Sequence, residues 1–224
     1  TTYIYTLPLH DALPIYIVKE VFRKNGMDVT FLAKPIPGVA GSGEHTHIGV
    51  TAELKDGKRL NMFHSSKEHF MSPMGYGSLM GILKNYEVMN PFITSSNEAF
   101  KRLKKGFEAP ICIVTSLGRT VEIPSRNRTI LIGLIRDVNN PMATRFELRA
   151  PNAHTNTFLC IAAMLMAMAD GIEHVFKTGR DEDSLLAELS KRPEEEGIYL
   201  ETGRAYRSEN NVFDDYTDEE RDSY

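Results

Sequence analysis

At 224 residues the chain is long enough for one large domain or two small ones, and 42% hydrophobic with 25% charged side chains supports a sizeable core. A formal net charge of -4 argues against a general attraction to nucleic acid or anionic lipid, so any anionic ligand must be held by local positive charge. Cys112 and Cys160 lie in apolar runs and read as buried thiols in a reducing compartment, the cytoplasm by default, rather than as a disulfide framework or zinc knuckle.

The opening stretch, Thr1 to Ile15, is too short and polar for a membrane span, and no basic segment precedes it as in a signal peptide. Ile17, Val18, Val21 and Phe22 then recur at helical spacing and stop at Gly26, which predicts a helix with a glycine end. DVTFLAKP predicts a strand, and THIGVTAELKDGKRLNMFH predicts strand, Asp56-Gly57 turn, strand. GSLMGILKNYEVMNPF reads as a helix up to Pro91, and SSNEAFKRLKKG as a helix with a serine N-cap and an end at Gly106. APICIVTS and TRFELRAP read as short strands. The apolar run Phe158 to Ala169 belongs to a long core helix, with Met164, Met166 and Met168 as core filler. From Asp181 the chain is charged and helical. Short strands with long helices define a mixed class, α+β or α/β.

Four constellations can carry chemistry. In GVAGSGEHTHIGV, the glycines permit close backbone approach to a ligand, and His45 and His47 share one strand face, open either to a divalent metal or to plain surface duty. In KRLKKGFEAP, Arg102 can grip a carboxylate and Glu108 can move a proton or attract a cation, while basic residues in a last helical turn also simply complement the dipole. In PSRNRTILIGLIR, Arg126, Arg128 and Arg136 suit phosphate, or a salt-bridged face. In TRFELRAPN, alternation sets Glu147 between Arg145 and Arg149, as a salt-bridge ladder or, beside a metal, as ligand and anion clamp. Together the inventory suits metal-assisted phosphoryl transfer without identifying a substrate.

In order, GSGEHTH, NPFITSSNEAFKRLKKGFEAP, SRNR and RFELRAPNAHTN resemble the successive signatures of the glutamine synthetase family, over about Tyr16 to Gly179. The resemblance implies an α+β fold, part of a catalytic domain with a curved, mainly antiparallel sheet and flanking helices. His45 matches the histidine of the metal beside the nucleotide phosphates, and Glu147 a carboxylate ligand of that metal, Mg2+ or Mn2+. His47 and Gly49 fall where the family contacts the nucleotide. Gly41 and Arg102 match positions that hold glutamate, and Arg149 the arginine at its reacting carboxylate. Glu108 matches the flap glutamate that helps deprotonate ammonium. Arg128 matches the arginine near the transferred phosphoryl group, and Arg136 a further nucleotide-side arginine. The implied activity joins ammonia to the γ-carboxylate of glutamate through an ATP-derived acyl phosphate, in a homo-oligomeric ring, with neither nucleic acid nor membrane as partner.

Departures bear on specificity. Ala40 stands where many members have an asparagine that touches glutamate, and Met142 where some have a lysine, which keeps open a ligase for another amine; a non-catalytic relative is a further alternative. A zinc hydrolase on His45 and His47 lacks a third ligand at the usual spacing. The family's β-grasp domain and the ligands of its second metal have no match before Tyr16, so residues 16–224 are expected to be a partial catalytic domain, truncated at both ends and inactive alone. Thr1 to Ile15 resembles TTEIYTLSLHDALPI, the translation of a common sequencing adapter, departing from it at Tyr3 and Pro8. That stretch is expected to be a non-native leader in which His10 and Asp11 have no function.

Overall fold

The computed structural model describes residues 9–65, 68–94, 96–104, 107, 109–137, 139–217 and 219, with side chains from Leu13 onward. In chain order the elements are α1 (Leu9–Lys24), β1 (Thr46–Ile48), β2 (Thr51–Glu53), β3 (Arg59–Asn61), α2 (Pro73–Ile93), a 3-10 turn (Ala99–Arg102), β4 (Cys112–Ser116), β5 (Ile130–Asp137), β6 (Asn140–Leu148), α3 (Thr157–Thr178), α4 (Glu182–Leu189) and α5 (Val212–Asp215). Among the described residues one sheet runs β1-β6-β5-β4, antiparallel except for the β4–β5 pair, and β2–β3 form a separate hairpin. The α+β expectation with a mainly antiparallel sheet holds.

Strand alternation decides which face of the sheet is core. Phe146 and Leu148 of β6, with Ile132 and Leu134 of β5, are buried, and the Phe146 ring packs on Phe63 with centroids 4.6 Å apart. The intervening residues of β6, Arg145 and Glu147, therefore face the other side and are only half-buried.

Above the core face, α2 and α3 cross backbone to backbone. A Cβ placed on Gly171 would lie 1.9 Å from the Gly77 carbonyl oxygen, and one on Gly81 would lie 2.1 Å from the Ala167 oxygen. Only glycine permits that approach. Asn156 caps α3 by accepting from the N–H groups of Phe158 and Leu159, and Gly179 closes it at φ 63°. The core reading of α3 holds on one side: Met164 and Met168 are buried, whereas Met166 is 76% exposed. By length and hydropathy, 1.6 over its most apolar window, α3 is apolar enough to cross a membrane, with 33% of that window buried.

Several local expectations are corrected. DVTFLAKP joins no strand, because the N–H groups of Ala33 and Lys34 donate to the Glu98 carboxylate instead of a ladder. Helix α2 continues past Pro91 to Ile93, since a proline in the last turn forfeits a single bond, and the Thr94 N–H closes the end on Asn90. Among its described residues the SSNEAFKRLKKG segment forms the 3-10 turn, with Glu98 as N-cap and its side chain engaged elsewhere; Ser95, Lys105 and Gly106 lie outside the described residues. The predicted helix before Gly26 is present as α1, which runs unbroken through Ile15 and Tyr16 and leaves Tyr16, Ile17 and Val21 exposed. Both cysteines are buried, and neither is in a disulfide.

Candidate functional site

Where β6 runs out, the chain lines a cleft of about 1200 Å³ between the polar face of the sheet, the glycine loop before β1, and the segments around residues 107–109 and 125–130. Arg102, Arg126, Arg128 and Arg149 line it, against the single described carboxylate Glu147. A chain of net charge -4 thus gathers positive charge in one concavity, which is the electrostatic signature of an anion site.

Glu147 is the hinge of the arrangement. Its Oε1 lies 2.7 Å from His45 Nδ1 and accepts from Arg149 Nη1 at 2.8 Å. Burial, and then the charge of Arg149, hold the His45 imidazole below its usual pKa, with Glu147 pulling the other way. We therefore treat this contact as a neutral imidazole beside a carboxylate rather than as a full ion pair. An imidazole beside a carboxylate is a metal-competent donor pair. Among the described residues, however, no group of three His, Cys, Asp or Glu side chains forms a complete metal cluster.

The other histidine goes elsewhere. Arg145 Nε donates to His47 Nδ1 at 3.0 Å, and Arg145 also reaches the Ala143 carbonyl, so the expected Arg145–Glu147–Arg149 ladder reduces to the Glu147–Arg149 pair. His47 and Gly49 do not line the cleft, although His47 faces Glu147 in register. Arg136 does not line it either. It lies at the register shift between Ile135 and Asp137, where it donates to the Phe70 carbonyl and stands 5.6 Å from the Phe70 ring centroid.

Arg102, 7% exposed, binds the backbone that ends β6: Nη1 donates to the carbonyls of Ala150 (2.8 Å) and Pro151 (3.3 Å), and Nη2 to that of Arg149 (2.7 Å). The glycine loop lies directly on this side chain. A Cβ on Gly41 would meet Arg102 Cγ at 2.7 Å, and one on Gly43 would meet its Nη2 at 2.5 Å. Glu108 lies outside the described residues; its neighbours Phe107 and Ala109 line the cleft, as does Ala40, whereas Met142 is exposed on β6.

Sequence reasoning missed the far end of the floor. Register places Gly133 beside Glu147 on one side and Ser116 on the other, so a row runs from β6 to β4 with no side chain in the middle. Ser116 hydrogen-bonds the Glu209 carboxylate and Ser125, whose Oγ also accepts from the Asn127 N–H. Burial alone would raise the Glu209 carboxyl, but hydrogen bonds from Ser116, Arg207 and the N–H groups of Leu117 and Gly118 outweigh it and hold it below the usual value. The turn-forming pattern Ser125-Arg126-Asn127 was the available signal; nothing local pointed to Glu209 or Glu98.

An arginine-lined cleft at the end of a mainly antiparallel sheet, with a histidine–carboxylate pair at its floor, is an arrangement suited to holding anions. Comparison with known proteins makes this specific. Residues 12–201 match the family described as "Glutamine synthetase, catalytic domain", and the chain belongs to that family. It is 38% identical over 180 residues to a glutamine synthetase of Nostoc sp., covering 80% of this chain and 35% of that protein. It is 36% identical over 217 residues to one of Azotobacter vinelandii, covering 91% of this chain and 43% of that protein. The chain thus spans well under half the length of these relatives.

Proposed function

We propose that the chain is catalytic-domain sequence of an ATP-dependent ligase that joins ammonia to the γ-carboxylate of glutamate. The observation that carries this is the convergence of His45, Glu147 and Arg149 in a cleft that Arg102, Arg126 and Arg128 also line. A carboxylate accepts ammonia only once its oxygen is a good leaving group, so the γ-phosphoryl group of ATP first passes to the glutamate γ-carboxylate. Ammonia then attacks the acyl carbon, phosphate leaves, and a proton is lost to base.

In this reading Arg128 and Arg149 offset the repulsion between the phosphoryl group and the attacking carboxylate, and Arg149 orients that carboxylate. Gly41 and Arg102 shape the glutamate end, and Glu108 takes the ammonium proton. His47, Gly49 and Arg136 are assigned to the nucleotide side by family resemblance alone. His45 and Glu147 would hold Mg2+ or Mn2+, since they bring an imidazole and a carboxylate together on the cleft wall. Such an ion supplies charge neutralisation of the phosphates. A homo-oligomeric ring for the whole protein and a cytoplasmic location belong to the same reading, the latter supported by two buried thiols that form no disulfide.

Calorimetric titration of the chain with Mg-ATP tests the proposal. The expected result is saturable binding that Glu147→Gln weakens about tenfold or more; absence of binding by the wild-type chain refutes it. The chain alone is expected to form no glutamine from ATP, glutamate and ammonia, and glutamine formation by it overturns that part. Ala40 on the cleft wall favours one second reading, a larger amine in place of ammonia, which an amine panel assayed on the full-length parent decides.

A further inference from the structure

Resting on the glutamate reading of the cleft, we propose that Glu98 is a positioning residue that clasps the glycine loop into the wall of the substrate site. Its two carboxylate oxygens divide two successive backbone donors: Oε2 accepts from the Ala33 N–H and Oε1 from the Lys34 N–H, each at 3.0 Å. Ala33, fully buried, in turn accepts from the Ser42 N–H at 2.8 Å, which closes the loop between them. The carboxylate thus ties the near end of the loop directly, and the far end through the Ala33 carbonyl. Lys34 strengthens the clasp by placing its ammonium 3.7 Å from the Phe107 ring centroid and donating to the Val39 carbonyl.

The position of Glu98 explains why it matters to the site. It is the N-cap of the 3-10 turn that carries Arg102, and Arg102 holds the carbonyls of Arg149, Ala150 and Pro151. One short turn thus ties the loop wall through Glu98 and the end of β6 through Arg102. Gly41 brings the loop backbone close to both Arg102 and the Ala33 carbonyl, since a Cβ there would lie 2.4 Å from the Ala33 oxygen and 2.7 Å from Arg102 Cγ. What fixes its height over the guanidinium is the bidentate carboxylate. Glu147 and Arg128 line the cleft from other segments, and the Glu44 N–H holds His45's end of the loop on the Pro151 carbonyl at 2.8 Å, so loosening the loop at Ala33 and Lys34 should weaken glutamate binding more than nucleotide binding.

The test compares wild type, Glu98→Gln and Glu98→Ala by amide hydrogen exchange and by calorimetry with L-glutamate and with Mg-ATP. In Glu98→Ala the amides of Ala33, Lys34 and Ser42 should exchange about tenfold faster or more, while those of α2 and α3 keep their protection. L-glutamate should bind about tenfold more weakly and Mg-ATP within about twofold of wild type. Glu98→Gln, which keeps the size and one acceptor oxygen, should fall between; it also serves if the alanine variant unfolds. Unchanged exchange at the three amides overturns the proposal, as does a parallel loss of both affinities, which would mark a merely structural role. Wild type that binds neither ligand overturns the functional reading and the glutamate subsite with it. Normal wild-type binding together with an unperturbed Glu98→Ala variant overturns only the role of Glu98.

Discussion

Replacing Gly171 by alanine should destabilise the protein by about 2–3 kcal/mol, an estimate set by the α2–α3 crossing. The added Cβ would stand 1.9 Å from the Gly77 oxygen and 2.8 Å from both Gly77 C and Gly81 N, all backbone atoms. Carbon–oxygen contacts settle near 3.3 Å, so the helices must part by more than about 1 Å. A gap of that size forfeits up to half the dispersion energy of each contact along the crossing. Because no rotamer change relieves a clash with backbone, the strain belongs at or above the top of the usual 1–3 kcal/mol range for overpacking, offset by about 1 kcal/mol of improved helix propensity. With a urea m-value of about 2–3 kcal/mol/M, the midpoint should fall by about 1 M, read by far-UV circular dichroism. Met166→Ala, at a side chain 76% exposed, is the control and should shift stability by no more than about 0.5 kcal/mol. A Gly171→Ala midpoint at or above wild type would refute the close-crossing argument.

Further expectations concern buried polar groups and thiols. Glu188, 6% exposed, is pushed up by burial, but its pairing with Arg180 and the N–H groups of Tyr199 and Leu200 outweigh that and hold it below the usual glutamate value. A depressed folded pKa means stability that is full above the unfolded value and is lost as pH falls through the folded one. Glu188→Gln should therefore cost about 2–4 kcal/mol at pH 7 and flatten the loss of stability below about pH 4.5, measured as urea midpoints at pH 7 and pH 4; an unaltered pH slope refutes this. Arg102→Met should leave the carbonyls of Arg149, Ala150 and Pro151 without their donor and cost about 2–5 kcal/mol, while Arg102→Lys recovers only part of the loss, again by urea unfolding. Cys160, 1% exposed, has its thiol pushed up to about 11 by burial, and Cys112 is 2% exposed. Neither should react with an aromatic disulfide reagent in the native chain at pH 8, and both should react in urea; rapid native labelling of either contradicts their burial.

How much of this was legible follows from where each signal is stored. Helix α3 and strand β6 write their periods into consecutive residues, so both were readable, and the apolar and charged sides of β6 became core and cleft. The sheet order was not readable, since the β1–β6 pairing joins segments far apart in the chain and leaves no local trace. DVTFLAKP misled for the same reason: its composition suits a strand, but the group that takes its N–H donors is Glu98, 65 residues from Ala33. In the site, His45, Glu147, Arg102, Arg128 and Arg149 were legible through the family signatures and do converge, while Arg136 lies off this cleft beside Phe70, a contact that no local spacing signals. Met166 shows the limit of composition. A methionine run is equally good filler and equally good surface, and only the helical angle separates 164 and 168 from 166.

The bare position at Gly133 gives the cleft a single adjustable dimension. A Cβ there would meet only the tip of Ile130, at 3.3 Å, so a side chain can be added to the floor without moving a strand. It would rise between Glu147 and Ser116 and divide one long trough into two short chambers. A change in one codon is enough to alter how long a molecule can lie across this sheet, with the surrounding strands left where they are.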